Sequence, residues 1–86
     1  MNKFKPLVSC LITVGNNYNY LKDAILSLLN QTYKEIEIVV INDGNHKGVI
    51  DIVNLIDSPK INLFNYKKNG RGKSLNIGIN KSRGDL

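Results

Sequence analysis

Tryptophan is absent, and the 86 residues include one cysteine, one histidine and two prolines. With Cys10 alone no intrachain disulfide can form, so burial and hydrogen bonding must hold the fold, and a reducing compartment is favoured. Cys10 lies inside an apolar run and reads as a small core residue. No segment reaches the roughly 18 consecutive apolar residues that a bilayer span requires. The opening "MNKFKPLVSCLITV" sets lysines before an apolar stretch, as a signal peptide does. Its run from Leu7 to Val14 is short, however, holds Ser9 and Thr13, and lacks an A-x-A-like cleavage site. The expected location is cytoplasmic, extending to the inner face of the membrane in a full-length protein.

Acidic residues are also scarce, seven against twelve Lys and Arg, for a net charge of +5. Half of the cations lie between Lys67 and Arg83, which suits an anionic partner such as phosphate, nucleic acid or a membrane surface, or else a solvated face. Tyr66 is the one ring in that basic segment, so stacking on the bases of a nucleic acid is poorly supported. The hydrophobic fraction of 42% is that of a globular core and excludes a disordered tail. A chain this short buries only about 60–65% of the surface it exposes when unfolded, which suits one small domain or a piece of a larger one.

The apolar residues fall into two kinds of pattern. Leu7 to Val14 and Ile36 to Ile41 are continuous runs rich in β-branched residues, as in strands covered on both faces of a parallel sheet. Ile61, Leu63 and Phe64, interleaved with Asn62 and Asn65, make a shorter strand of edge character. Between them, Leu21, Ala24, Ile25, Leu28 and Leu29 recur at helical spacing, with Asn19 as the expected N-cap and Asp23 near the positive end of the helix dipole. Val49, Ile52, Val53 and Ile56 repeat that spacing, and Ser58-Pro59 is the expected stop. A last helix fits Gly72 to Lys81. The order β-α-β-α-β-α predicts an α/β fold with a three-layer, Rossmann-like parallel sheet. If the strand order is 3-2-1, Leu7 to Val14 is left with an open apolar edge through which the chain would self-associate.

Ligands of open α/β sheets bind beyond the carboxyl ends of the strands. Those ends are "TVGNN" (13–17), "NDGNHKG" (42–48) and "KNGRGKS" (68–74). Asp43 follows an apolar strand directly and can accept hydrogen bonds from a ribose or a base N–H; as part of Asp-Gly it is equally a turn residue. Gly72-Lys73-Ser74 resembles the end of a P-loop, but G-x-x-x-x-G-K-[ST] would need glycine where Lys67 stands. The loop also follows a third strand, and no separate downstream Asp could serve a magnesium ion. What survives is a loop whose Gly70 and Gly72 allow close backbone approach, with Arg71 and Lys73 adding charge at a helix start that can face an anion. The alternative is a helix start with solvated cations.

Three blocks together resemble the family 2 glycosyltransferases, which have the GT-A fold. Pro6 to Asn16 and Ser27 to Thr32 follow the family's P-x-V-S-V-I-I-P-T-Y-N and S-x-L-x-Q-T. Asn42-Asp43-Gly44-Asn45 stands at its D-D-G-S, and Gly70, Asn76, Gly78 and Ile79 at its N-x-G-x-x-x-A-x-N-x-G-I. The resemblance implies transfer of a sugar from a nucleotide-diphosphate donor to a saccharide or lipid-linked acceptor, as in bacterial polysaccharide biosynthesis. It implies that residues 1–86 are the nucleotide-sugar-binding front half of the GT-A fold, truncated before the D-x-D motif. It places Asp43, with Gly44, at the base, Thr13, Val14, Gly15 and Asn16 beside base and ribose, and Gly70, Arg71 and Lys73 on the nucleotide side.

Three residues depart from the pattern. Thr13 replaces Pro, Asn42 replaces the first Asp, and Gly15 replaces a Tyr whose stacking is worth about 1–3 kcal/mol in comparable contacts. Either Tyr18 compensates for that ring from the loop, or the donor base is held differently. The Mg2+ or Mn2+ expected for the full-length enzyme, and its catalytic base, would be held by residues past Leu86, so the chain alone should be inactive. Arg83-Gly84-Asp85 spells an adhesion tripeptide, but it sits where the family has Gly-Asp or Gly-Glu. The competing expectations are a non-catalytic α/β nucleotide-binding module and a basic nucleic-acid-binding domain.

Overall fold

In the computed structural model, which describes residues 6–67, the β-branched runs become strands and the helical spacings become helices. The order is β1 (Val8–Val14), α1 (Leu21–Leu29), β2 (Ile36–Asp43), α2 (Lys47–Ile56) and β3 (Ile61–Tyr66). All three strands are parallel, in the order β1-β2-β3. The 3-2-1 arrangement therefore holds, and among the described residues β1 pairs with β2 alone. The central strand is buried from Ile36 through Asn42, which is why that run carries no alternation.

Leu21 and Ile25 of α1, Val49 and Val53 of α2, and Ile36, Ile38 and Val40 of β2 belong to one buried cluster with Val14. Both helices thus cover the same face of the sheet, as two successive crossovers of one hand require. Cys10 and Ile12 of β1 and Ile61 and Leu63 of β3 extend this layer. The sheet and these helices are two layers of the α/β architecture. The helix expected over Gly72 to Lys81 lies outside the described residues.

The opposite face carries a polar bridge across all three strands. Ser9 Oγ donates to Glu37 Oε2 at 2.5 Å, and Asn62 Nδ2 donates to Glu37 Oε1 at 3.3 Å. Glu37 is 2% exposed, so its carboxylate is retained in the interior through such bonds.

One helix start differs from expectation, and the other helix closes just ahead of its expected stop. Asn19 does not cap α1: its own N–H reaches Asn17 Oδ1 at 3.4 Å, and the helix starts after Tyr20, which is already right-handed helical. Leu21 N–H donates to Tyr18 O and Ala24 N–H to Tyr20 O, so backbone carbonyls close the first turn. At its far end α2 stops one residue before Ser58, at Asp57, whose φ of 51° is left-handed. Asp57 N–H still donates to Val53 O, so the helix closes in a left-handed cap ahead of the proline.

Candidate functional site

Strand register brings the first two expected ligand-binding ends together beside the end of β3, while residues 68–74 lie outside the described residues. Val14 is the Cα partner of Asn42, and Asn42 of Asn65; one residue on, Asp43 is the partner of Tyr66. Gly15, directly after Val14, therefore lies on one side of Asp43 and Tyr66 on the other. Parallel strands are about 4.8 Å apart, so the three residues span roughly 10 Å at the sheet's carboxyl end.

Alternation sorts these residues between the faces. Val14 is 1% exposed and packed with the helices, so its side chain is core and only its backbone can line a site. Asn42 shares that face and is fully buried. Its Nδ2 donates to Asn65 Oδ1 at 2.8 Å and to His46 O at 3.0 Å, while its Oδ1 accepts from His46 N–H at 3.1 Å. Asn42 thus ties β3 and the start of α2 to the end of β2. An amide can donate twice and accept once in this way; an ionised carboxylate could only accept. The departure from Asp at position 42 has a structural use that sequence reading missed.

Asp43 and Tyr66 project from the other face, above a row formed by the register partners Thr13, Ile41 and Phe64. The turn after Asp43 is built on Gly44, whose φ of 108° excludes most side chains, and on Asn45 at φ 52°. Gly44 N–H donates to Tyr66 O at 2.9 Å and Asn45 N–H to Asn42 O at 3.3 Å, pinning the loop to both strands. Asp43 itself is half-buried, where a carboxylate can meet a ligand without full desolvation. Thr13 O accepts from Tyr20 OH at 3.3 Å, Asn16 is exposed, and a Cβ added at Gly15 would meet nothing within 4 Å among the described residues. Among these residues Gly15 therefore borders open space.

Tyr18 does not occupy that space. Its ring lies on the helix side, packed against the buried cluster, with its centroid 5.9 Å from that of His46. It rests on Gly48 in the first turn of α2, where a Cβ would overlap the ring. The alternative in which Tyr18 replaces the ring missing at Gly15 is therefore set aside: the short loop into α1 carries it to the wrong face. Gly70, Arg71 and Lys73 lie outside the described residues.

Among the described residues no group of three or more His, Cys, Asp and Glu could hold a metal ion, and Asp43 is the one carboxylate at the strand ends. No helix among them is long and apolar enough to cross a membrane.

Comparison with known proteins bears directly on this geometry. The sequence model of glycosyl transferase family 2 matches residues 9–86. An uncharacterized glycosyltransferase of Rickettsia typhi is 47% identical over 85 residues, covering 98% of this chain and 26% of the relative. One of Haemophilus influenzae is 42% identical over 83 residues, covering 93% and 33%. The chondroitin synthase of Pasteurella multocida is 27% identical over 81 residues, covering 92% and 8%. The chain thus spans a third or less of the length of these curated relatives. A mannosyltransferase from Pyrobaculum calidifontis, solved with GDP-mannose and Mn2+, superposes with a TM-score of 0.74 at 18% identity, over 95% of this chain and 26% of that one. At that identity the likeness is one of fold, and the fold is GT-A.

Proposed function

The chain belongs to glycosyl transferase family 2, and on that premise we propose that residues 1–86 are the nucleotide-sugar-binding half-domain of an enzyme that transfers a sugar from a nucleotide-diphosphate donor to an acceptor hydroxyl. The observation that carries this reading is the position of Asp43. It ends the central strand beside open space at Gly15, on a loop fixed by Gly44, Asn42 and Tyr66. There its carboxylate accepts a hydrogen bond from the base or ribose of the donor, while Thr13, Asn16 and the backbone of Val14 and Gly15 border the nucleoside. Gly70, Arg71 and Lys73 face the diphosphate, whose charge two cations and a helix start can offset.

Among the described residues no group of three or more His, Cys, Asp and Glu could hold a divalent metal. The Mg2+ or Mn2+ and the catalytic base proposed for the full-length enzyme belong to residues outside this chain. The acceptor is a saccharide or lipid-linked hydroxyl. The enzyme works in the cytoplasm, at the inner face of the membrane where its acceptor is lipid-linked. Cys10 as the sole cysteine is consistent with a reducing compartment. The 86-residue chain on its own self-associates through the Leu7–Val14 edge, because an apolar strand with an open row of backbone groups invites pairing. A monomer in sedimentation at high concentration would remove that last element.

Calorimetric titration with UDP-, GDP- and dTDP-linked sugars tests the core of the proposal. At least one should bind, and Asp43→Ala should abolish that binding while leaving the circular dichroism spectrum unchanged. Unaltered affinity in Asp43→Ala removes Asp43 from the site. Single-stranded nucleic acid binding more tightly than every nucleotide overturns the transferase reading.

A further inference from the structure

We propose that Tyr66 is the stacking wall for the donor's base, an affinity-determining role displaced from the end of β1 to the end of β3. The proposal rests on the nucleotide-binding reading above and adds a residue to it. Three observations converge. Gly15 leaves open space on the β1 side of Asp43, with nothing among the described residues within 4 Å of an added Cβ. Tyr18, the ring nearest to Gly15 in the sequence after it, is held on the helix face against His46 and Gly48. Tyr66 is the Cα partner of Asp43 and lies on its face of the sheet, because the preceding pair, Asn42 and Asn65, is bonded on the helix face.

The geometry suits a planar ligand read along its edge. A base whose N–H donates to the Asp43 carboxylate must lie close to the row Gly15, Asp43, Tyr66. Gly15 offers room and no ring, and among the described residues Tyr66 is the ring that pairs with Asp43 across the strands, so it can present its surface to the face of such a base. Tyr66 is half-buried, and the Gly44 N–H bond to its carbonyl fixes the backbone from which its side chain projects. Stacking of this kind tolerates any base, since each has a π-face, so Tyr66 supplies affinity for the nucleoside while Asp43 selects the edge.

The test uses the 86-residue chain with GDP, UDP and inorganic pyrophosphate as probes. Tyr66→Leu should weaken binding of the preferred nucleoside diphosphate by about 5- to 150-fold, the range of base–aromatic contacts. Pyrophosphate affinity should not change, and Tyr66→Phe should retain nucleotide binding. Tyr18→Leu should lower the melting temperature yet bind nucleotide normally once folded. Intermolecular NOEs between base protons and the Tyr66 ring should appear in the parent chain. Equal nucleotide affinity in the parent and Tyr66→Leu, or equal weakening of nucleotide and pyrophosphate, overturns the role of Tyr66 and leaves the nucleotide site standing. Failure of the parent chain to bind any nucleotide overturns both.

Discussion

Asn42 and Asn65 meet across β2 and β3, Nδ2 to Oδ1 at 2.8 Å, and the same Asn42 amide holds both the N–H and the carbonyl of His46. One fully buried side chain thereby joins two strand ends to the first turn of α2, one residue before Asp43. The position is polar because Asn42, fully buried itself, must satisfy its own amide there, and a buried side-chain amide left unpaired costs about 1–3 kcal/mol.

Asn42→Asp tests this directly, although Asp is the residue the family pattern has at this position. An ionised carboxylate cannot donate to His46 O, and it adds a charge to a buried site. The variant should lose about 1–3 kcal/mol of stability at neutral pH by urea denaturation. The loss should shrink in acid, where a protonated carboxyl can donate. Because the loop carries Asp43, nucleotide affinity should fall as well. Full stability at pH 7 would mean that Asn65 has turned its amide and that the network is not specific to asparagine.

Gly48 sits in the first turn of α2, where replacing glycine by alanine would ordinarily stabilise a helix by about 0.5–1 kcal/mol. Here the added methyl would overlap the Tyr18 ring. Gly48→Ala should therefore destabilise by about 1–3 kcal/mol, the usual range for overpacking. In a Tyr18→Ala background the same substitution should become neutral or stabilising. A double-mutant cycle by thermal melting reads the reversal of sign, and the absence of coupling would place the Tyr18 ring elsewhere.

Cys10 packs against the core, and burial pushes its thiol up from the ordinary value. Alkylation by iodoacetamide should be slower than that of an unfolded thiol at the same pH, and its rate should rise at a higher pH. The folded thiol keeps its proton at a pH where the unfolded one has lost it. The resulting stability is fully present below the unfolded value and is lost as pH rises through the folded one. Parent and Cys10→Ala stabilities should accordingly differ in their slope on the alkaline side, with the parent falling more steeply.

The parts of this fold that follow from periodicity were legible in the sequence: both helix faces and all three strands. Local signals near helix ends were less so. Asn19 carried a capping side chain, but the loop closed on the carbonyls of Tyr18 and Tyr20 instead. Asp57 ended α2 because a left-handed residue could close the last turn before Pro59 had to break it. The site residues that depended on register were hidden altogether. Tyr18 is nearer to Gly15 in sequence than Tyr66 is, yet only the pairing of β2 with β3 reveals which ring shares a face with Asp43. Asn42 looked like a lost carboxylate until the loop it organises was visible.

The bridge from Ser9 through Glu37 to Asn62 gives the last prediction. Glu37 lies in the middle strand, with Ser9 as its register partner in β1 and Asn62 in β3 donating to its other oxygen. Glu37→Gln retains an acceptor for Asn62, and the Ser9 hydroxyl can rotate to accept from the new amide. Glu37→Leu matches the volume but leaves Ser9, only 4% exposed, without that partner in the interior. A hydrogen bond to a charged group contributes about 1.5–3 kcal/mol, so losing the Ser9–Glu37 bond should make Glu37→Leu the least stable of the three. Ser9→Ala combined with Glu37→Leu should recover part of the loss, since replacing both partners by apolar groups can be nearly neutral. If the double variant is no more stable than Glu37→Leu, the Ser9–Glu37 bond is not what holds the carboxylate in the sheet.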